Sequence, residues 1–137
     1  MPHITASQFA DRFVSLILGG RDMPKKHLDR HILLISSILK LDPGRQYSES
    51  ELNDQLLKWT SRFGPNFGLD HVTLRRFLVD ERYLKRDTAG TAYQRETTAL
   101  PYTFDPSIES LDLEELIHEA RREREKRKQQ HLKESKQ

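Results

Sequence analysis

The sequence predicts a mainly α-helical domain with a small β-hairpin, arranged as a winged helix-turn-helix. Three observations lead to this fold class. Apolar residues recur at helical spacing through most of the chain before residue 82. Two successive helices are separated by Gly64–Gly68, whose glycines and proline interrupt a helix. Two short extended runs then flank Asp87–Gly90, which is typical of a hairpin turn, and this hairpin would be the wing.

Two further helices are predicted before this unit. The first begins at Thr5, which has capping-box spacing with Gln8, and ends at Gly19–Gly20, where glycine accepts a left-handed cap. The second runs from about Lys25 to Lys40. Its apolar residues are spread beyond one narrow stripe, which indicates a helix at the centre of the core.

The third and fourth helices carry clear start signals. Ser48 and Glu51 form a second capping box, and Asp70 can cap the fourth helix. On the fourth helix the apolar residues face the core, and this leaves Arg75 and Arg76 nearer to solvent.

The chain after the hairpin is expected to be extended from Thr97 to Pro106, with a last helix beginning near Ser110 or Asp112. After Ala120 this helix carries mostly charged residues, so we expect a solvated, partly frayed helix or a basic arm that adds non-specific affinity. The predicted organisation is an N-terminal helical arm over residues 1–23, a winged-helix core over 24–97, and a linker with a charged C-terminal helix and tail over 98–137.

Composition limits the class of protein. A chain of 137 residues suits one domain with an arm or tail. The formal net charge is only +2, so any binding of a polyanion must depend on local positive patches rather than on the charge of the whole chain. The absence of cysteine excludes disulfides and fits a cytoplasmic location. No apolar run approaches the ~20 residues of a membrane span, so no membrane partner is expected.

Two segments resemble the prokaryotic family called domain of unknown function 2087. They are GRQYSESELNDQLLKW and DHVTLRRFLVDERYLKRDTAGTAY, within a resemblance that covers roughly Pro24 to Arg95. The residues that match the family pattern are Tyr47, Ser48, Glu49, Glu51, Asn53, Asp70, Leu74, Arg75, Arg76, Leu78, Val79, Asp80, Arg86, Gly90 and Tyr93. Gln46, Glu81 and Arg82 depart from it, the last two at the junction between helix and hairpin, where the family often has a small or glycine turn.

The resemblance implies a place near transcription, because some members look fused to separate DNA-binding regulator domains. It leaves open whether this type of domain reads DNA itself or is the sensing or contacting half. It implies no activity.

The candidate nucleic-acid-binding residues lie on the fourth helix and on the hairpin. In a helix-turn-helix the second helix enters the major groove, and a wing commonly lies over the phosphate backbone. The candidates are His71, Thr73, Arg75, Arg76, Lys85 and Arg86. If the four Arg and Lys residues neutralise phosphates, log affinity should fall with log salt at a slope of about −3 to −4.

Structural roles compete with these assignments. Arg76 lies four residues before Asp80, so an intrahelical ion pair is available. Arg75 could pair with a carboxylate of the third helix, either Glu51 or Asp54. The hairpin could also be an edge that charge protects from pairing with other strands.

Other chemistry has weaker support in the sequence. His27 and His31 share a helix face, which is half of a zinc site, but the spacing indicates no third ligand and the glutamate of a zincin motif is absent. No nucleophile–base pair is indicated. We therefore expect no catalysis, no cofactor and no metal ion.

The predicted function is that of a non-catalytic, DNA-binding transcriptional regulator whose partner is double-stranded DNA, with a homodimer or a protein partner possible. The alternative is a protein–protein interaction module without nucleic-acid binding. Its anchors would be Phe9, Phe13 and Phe67, provided that these side chains are exposed.

Overall fold

The computed structural model describes residues 2–135, so Met1, Lys136 and Gln137 of the predicted arm and tail lie outside the described residues. The α-helices are α1 (Ala6–Gly19), α2 (His27–Ile38), α3 (Glu49–Phe63), α4 (His71–Asp80) and α5 (Leu113–Ser135). The strands are β1 (His3–Ile4), β2 (Tyr47–Ser48), β3 (Leu84–Arg86), β4 (Ala92–Arg95) and β5 (Thr103–Phe104). The prediction of a mainly helical chain with a small β-hairpin is confirmed.

The helix starts follow from capping side chains. Thr5 accepts a hydrogen bond from the Gln8 N–H at the start of α1, and Asp70 accepts one from the Thr73 N–H at the start of α4. At α3 both bonds of the capping box are present, since Ser48 and Glu51 each accept from the other's backbone N–H. Local side chains therefore fix where these helices begin.

Helix α2 lies at the centre of the core. Ile32, Leu33, Leu34, Ile35 and Ile38 have no exposed surface, and α1, α3 and α4 pack around them. A helix with apolar residues on nearly every side can be stable only when it is covered on nearly every side, as the sequence indicates.

The hairpin is part of a three-stranded antiparallel sheet in the order β2–β4–β3. Tyr47 of β2 pairs with Tyr93 of β4, which pairs in turn with Arg86 of β3. The third strand, β2, was not predicted. It leads directly into α3, so the sheet and the helix pair are joined at the start of α3.

The beginning of the chain packs against its later part. Strand β1 pairs in parallel with β5, with His3 opposite Thr103 and Ile4 opposite Phe104. Helix α1 also packs against α5, where Ile117 is buried. The predicted division into arm, core and tail stays a prediction, and in the described residues both flanking segments contact the body of the fold.

From residue 2 to residue 135, none of the helices combines the length and the apolar character that crossing a bilayer requires.

Candidate nucleic-acid interface and the adjoining histidine cluster

The first turn of α4 presents two of the predicted contact residues. His71 and Thr73 are both partly exposed, and the Thr73 N–H is held by the Asp70 carboxylate at 2.7 Å. Hydrogen bonding to the Thr73 backbone lowers the pKa of Asp70, so this carboxylate is ionised at neutral pH. The charge stabilises the start of α4, but it also stands beside any phosphate that approaches that end.

Arg75 is committed to contacts within the fold. Its guanidinium donates to Asn53 Oδ1 at 2.6 Å and lies 3.2 Å from Glu49 Oε1, both on α3. It also lies over the Tyr93 ring, 5.8 Å from the centroid, and its side chain is only 16% exposed. The predicted alternative of a structural ion pair therefore describes Arg75, although its acidic partner is Glu49 rather than Glu51 or Asp54.

Arg76 differs from its neighbour. Its side chain is exposed, and across the described part of the chain it takes part in no ion pair or side-chain hydrogen bond. The alternative of an ion pair with Asp80 is therefore not realised in this structure. Arg76 is the α4 cation that remains available to an external anion.

The hairpin presents its two cations on opposite faces. Lys85 and Arg86 are both exposed on β3. Arg86 is directly opposite Tyr93 and shares that face of the sheet, which is the face that Arg75 covers. Lys85 is opposite Gln94, on the other face. Only Arg86 is thus directed toward the side of the sheet on which α4 packs.

Asp87 organises the tip of the hairpin. Its carboxylate accepts from the backbone N–H groups of Thr91 and Ala92, at 2.7 and 3.1 Å, and from the Thr91 hydroxyl. The backbone hydrogen bond from Ala92 contributes most to lowering the pKa of Asp87. The residue shapes the turn, and it leaves a negative charge next to Arg86.

Acidic residues at the start of α3 balance the cations nearby. Glu49 pairs with Arg75, and Glu51 pairs with Arg45. The hydrogen bond from the Ser48 backbone, followed by the one from Arg45, lowers the pKa of Glu51. Of the six predicted residues, the fold leaves Arg76, Lys85 and Arg86 as exposed cations and assigns Arg75 to internal packing.

The other end of α4 meets a pair of histidines on α2. His27 and His31 have ring centroids 4.3 Å apart, and His31 Nε2 lies 3.5 Å from Glu81 Oε2. His31 is 1% exposed, and burial, followed by the electrostatic effect of His27, lowers its pKa to about 4. Its ring is therefore neutral at pH 7.

Two tyrosine hydroxyls contact the Nδ1 atoms of the histidine rings. The Tyr83 hydroxyl is 2.5 Å from His31 Nδ1, and the Tyr102 hydroxyl is 2.9 Å from His27 Nδ1. The Nδ1 atoms of both rings are therefore occupied. In contrast, His31 Nε2 is buried and has no hydrogen-bond partner among the described residues.

The end of α4 brings Glu81 to this cluster. The Tyr83 N–H donates to Leu78 O and the Arg82 N–H donates to Val79 O, the pattern of a Schellman cap. Arg82 accordingly has φ of 67°, a left-handed conformation that favours glycine. Sequence spacing identified His27 and His31 but missed Glu81, because the contact between α2 and the residue that ends α4 depends on how the two helices pack.

Comparison with known proteins identifies a family. The family model described as "Uncharacterized protein conserved in bacteria (DUF2087)" matches residues 21–95, which is more than half of the chain. No match was found among curated proteins or among solved structures. The matched range includes α2, α3, α4 and the whole three-stranded sheet. The chain therefore belongs to the DUF2087 family of uncharacterised bacterial proteins.

Proposed function

We propose that this protein is a non-catalytic, DNA-binding transcriptional regulator of winged-helix type that acts in the cytoplasm on double-stranded DNA. The observation that carries the proposal is that α4 exposes the cation Arg76 and that the hairpin, which α4 contacts through Arg75 and Tyr93, exposes Lys85 and Arg86.

The order of elements supports the winged-helix interpretation. From α2 onward the chain runs helix, strand, helix, helix, strand, strand, and the first strand pairs with the third. In the proposed winged helix, α4 would be the recognition helix and the β3–β4 hairpin would be the wing.

The proposed contacts have two roles: some read the base sequence, and others fix the orientation of the protein on the DNA. Arg76 would meet base edges or phosphate in the major groove, because its guanidinium offers a two-point donor to guanine or to a phosphate. His71 and Thr73, on the first turn of α4, would lie against the same groove. Lys85 and Arg86 lie on β3, an edge strand of the sheet, and would contact phosphates from its two faces. Such contacts fix orientation without reading sequence. Arg75 would make no contact with DNA and would instead hold α4 against α3.

The salt dependence of binding tests this division. With Arg76, Lys85 and Arg86 as the phosphate contacts, the slope of log affinity against log salt should be about −3, at the shallow end of the sequence-based expectation. The measurement is fluorescence anisotropy with mixed-sequence duplex DNA, starting at ~50 mM salt.

Single alanine variants give the sharper result. Arg76→Ala, Lys85→Ala and Arg86→Ala should each weaken binding and reduce the slope by about 1. Lys58→Ala removes one exposed cation from α3, outside the proposed interface, and is the matched control that should bind as the parent protein does. Absence of binding at ~50 mM salt, or equal losses for Lys58→Ala, would contradict the proposal.

The second candidate is a protein-interaction module, and one observation favours it. Every residue of α5 from Arg121 to Ser135 is exposed, so this part of the helix buries no residue against the rest of the described fold. A helix of that size is marginal in water unless a partner stabilises it. The anchors expected from the sequence are not available, since Phe9, Phe13 and Phe67 are buried.

This candidate is tested separately. If the exposed part of α5 binds a second copy, light scattering should give a dimer mass for the full chain. A shortened chain that ends at Ala120 should give a monomer mass. A monomer in both cases, with intact DNA binding, would favour the first candidate.

A further inference from the structure

The cluster formed by His27, His31 and Glu81 has the composition and the spacing of a metal site. Their potential ligand atoms all lie within 4.8 Å of one another, and His31 Nε2 and Glu81 Oε2 are 3.5 Å apart. Donor atoms around a tetrahedral Zn²⁺ are roughly 3.3 Å apart, given Zn–N and Zn–O bonds of about 2.0–2.1 Å. Separations of up to 4.8 Å exceed that spacing, so binding of an ion would draw the three side chains together.

The buried nitrogen of His31 provides an independent indication of a ligand. His31 is 1% exposed, and its Nε2 has no partner in the part of the chain that the structure describes. A buried polar atom without a hydrogen bond is costly, and native structures contain few of them. This nitrogen is directed toward the Glu81 carboxylate across a gap that is too long for a hydrogen bond.

The tyrosines determine which nitrogens can bind an ion. Tyr83 and Tyr102 occupy the Nδ1 atoms of His31 and His27. If each Nδ1–H donates to its tyrosine oxygen, each Nε2 carries the lone pair that a metal ion needs. Outer-shell partners of this kind fix the tautomer and the orientation of histidine ligands.

The donor atoms select the class of ion. Two imidazoles and one carboxylate suit Zn²⁺ and related first-row transition ions, whereas Mg²⁺ and Ca²⁺ prefer oxygen ligands. Glu81 is 33% exposed and His27 is exposed, so an ion can reach the site from solvent. Three protein ligands also leave at least one coordination position open.

We propose that His27, His31 and Glu81 form a binding site for a divalent first-row transition-metal ion, with Zn²⁺ as the representative ion, at the junction between α2 and the end of α4. The proposal replaces the sequence-based expectation that the chain binds no metal. It is independent of DNA binding.

Calorimetry on the chelator-treated full chain tests the site, with Zn²⁺ as the probe and Mg²⁺ as the comparison ion. We expect one Zn²⁺ per chain and no measurable Mg²⁺ binding at the same concentration. Tyr102→Phe should weaken Zn²⁺ binding by roughly 10–100-fold, the usual effect of losing an outer-shell partner. His27→Ala and Glu81→Gln, which remove ligands, should weaken it by more than that.

His118→Ala is the matched control, because it removes an exposed histidine of α5 that lies outside the cluster. It should leave Zn²⁺ affinity unchanged. His27 and Glu81 are chosen for substitution because both have exposed surface, so their variants should fold, whereas His31 is part of the core. Circular dichroism of each variant checks this.

Co²⁺ provides a readout of geometry. The visible absorption of the Co²⁺-loaded chain should have the intensity of a four- or five-coordinate ion and should disappear in Glu81→Gln. Absence of saturable Zn²⁺ binding would overturn the proposal. Binding that persists unchanged in both His27→Ala and Glu81→Gln would also overturn it and would leave an ordinary histidine–carboxylate contact.

Discussion

The polar side chains at the two ends of α4 are satisfied in different ways. Toward the start of the helix, Arg75 has an amide, a carboxylate and an aromatic ring around its guanidinium. Beside the end of α4, His31 of α2 has one nitrogen bound to Tyr83 and the other buried without a hydrogen-bond partner in the described part of the chain, 3.5 Å from Glu81. A polar group that the fold itself satisfies contributes to structure. A buried one that the fold leaves unsatisfied is costly, and at His31 the proposed metal ion would satisfy it.

This contrast changes the functional interpretation of the helix. Arg75 and Arg76 are adjacent in the sequence, but Arg75 is paired within the fold and Arg76 is exposed. The histidines, which offered half of a site, gain a third donor. Two experiments test whether the two ends of α4 differ as described, and a third tests the capping box at the start of α3.

The largest effect is expected from Tyr83→Phe. The change keeps the buried ring but removes the hydroxyl that contacts His31 Nδ1, which leaves both nitrogens of a buried histidine unpaired. The free energy of unfolding should fall by about 1–3 kcal/mol. Urea unfolding with a chelator present, followed by the fluorescence of the buried Trp59, measures it.

Tyr102→Phe is the matched control for that experiment. Its hydroxyl contacts the exposed His27, where water can replace the lost bond. The cost should be within about 0.5 kcal/mol. If the Tyr83→Phe variant is as stable as the parent, the claim that the Tyr83 hydroxyl satisfies a buried nitrogen of His31 is wrong.

An intermediate effect is expected from Arg75→Ala. Loss of the guanidinium removes the contacts with Asn53 and Glu49 and should lower the free energy of unfolding by about 1–2 kcal/mol. Arg76→Ala, one residue away, should change it by no more than about 0.5 kcal/mol. The two variants have the same change in charge, so denaturant unfolding compares them directly. The opposite ranking would mean that Arg76 is the structural residue.

The smallest effect concerns the pH dependence of the Glu51 capping box. Hydrogen bonding from Ser48 holds the pKa of Glu51 below its usual value of 4.5 in the folded chain. The folded state then favours the ionised form, so this stabilisation is present above pH 4.5 and is lost as pH falls through the lowered pKa. The difference in stability between the parent and Glu51→Gln should therefore shrink below pH 4.5. A difference that stays constant down to pH 3 would contradict it.

Local signals account for what the sequence predicted well. Ser48, Glu51 and Asp70 carry capping chemistry that depends only on neighbouring backbone, and the structure has each of these bonds. The turn at Asp87–Gly90 is equally local, and Gly90 has the positive φ that favours glycine. The family resemblance found from Pro24 to Arg95 is confirmed by the match over residues 21–95.

Non-local contacts account for what the sequence did not predict. Strands β1, β2 and β5 contain only two residues each, too few to show a period, and pairing with a distant segment defines them. The acidic partner of Arg75 depends on how α3 and α4 cross, and this selected Glu49. Glu81 lies beside the histidines because α4 packs against α2, a contact that spacing along the chain does not indicate.

The parallel pairing of β1 with β5 has a practical consequence for recombinant work. A fragment trimmed to the family match, residues 21–95, would lose both strands and the whole of α1. The side of α2 that packs against α1 would then be open to water, and an apolar surface of that kind promotes aggregation. Fragments for expression should therefore retain the segment that begins at His3 and extend through Ile117, where α5 packs against α1.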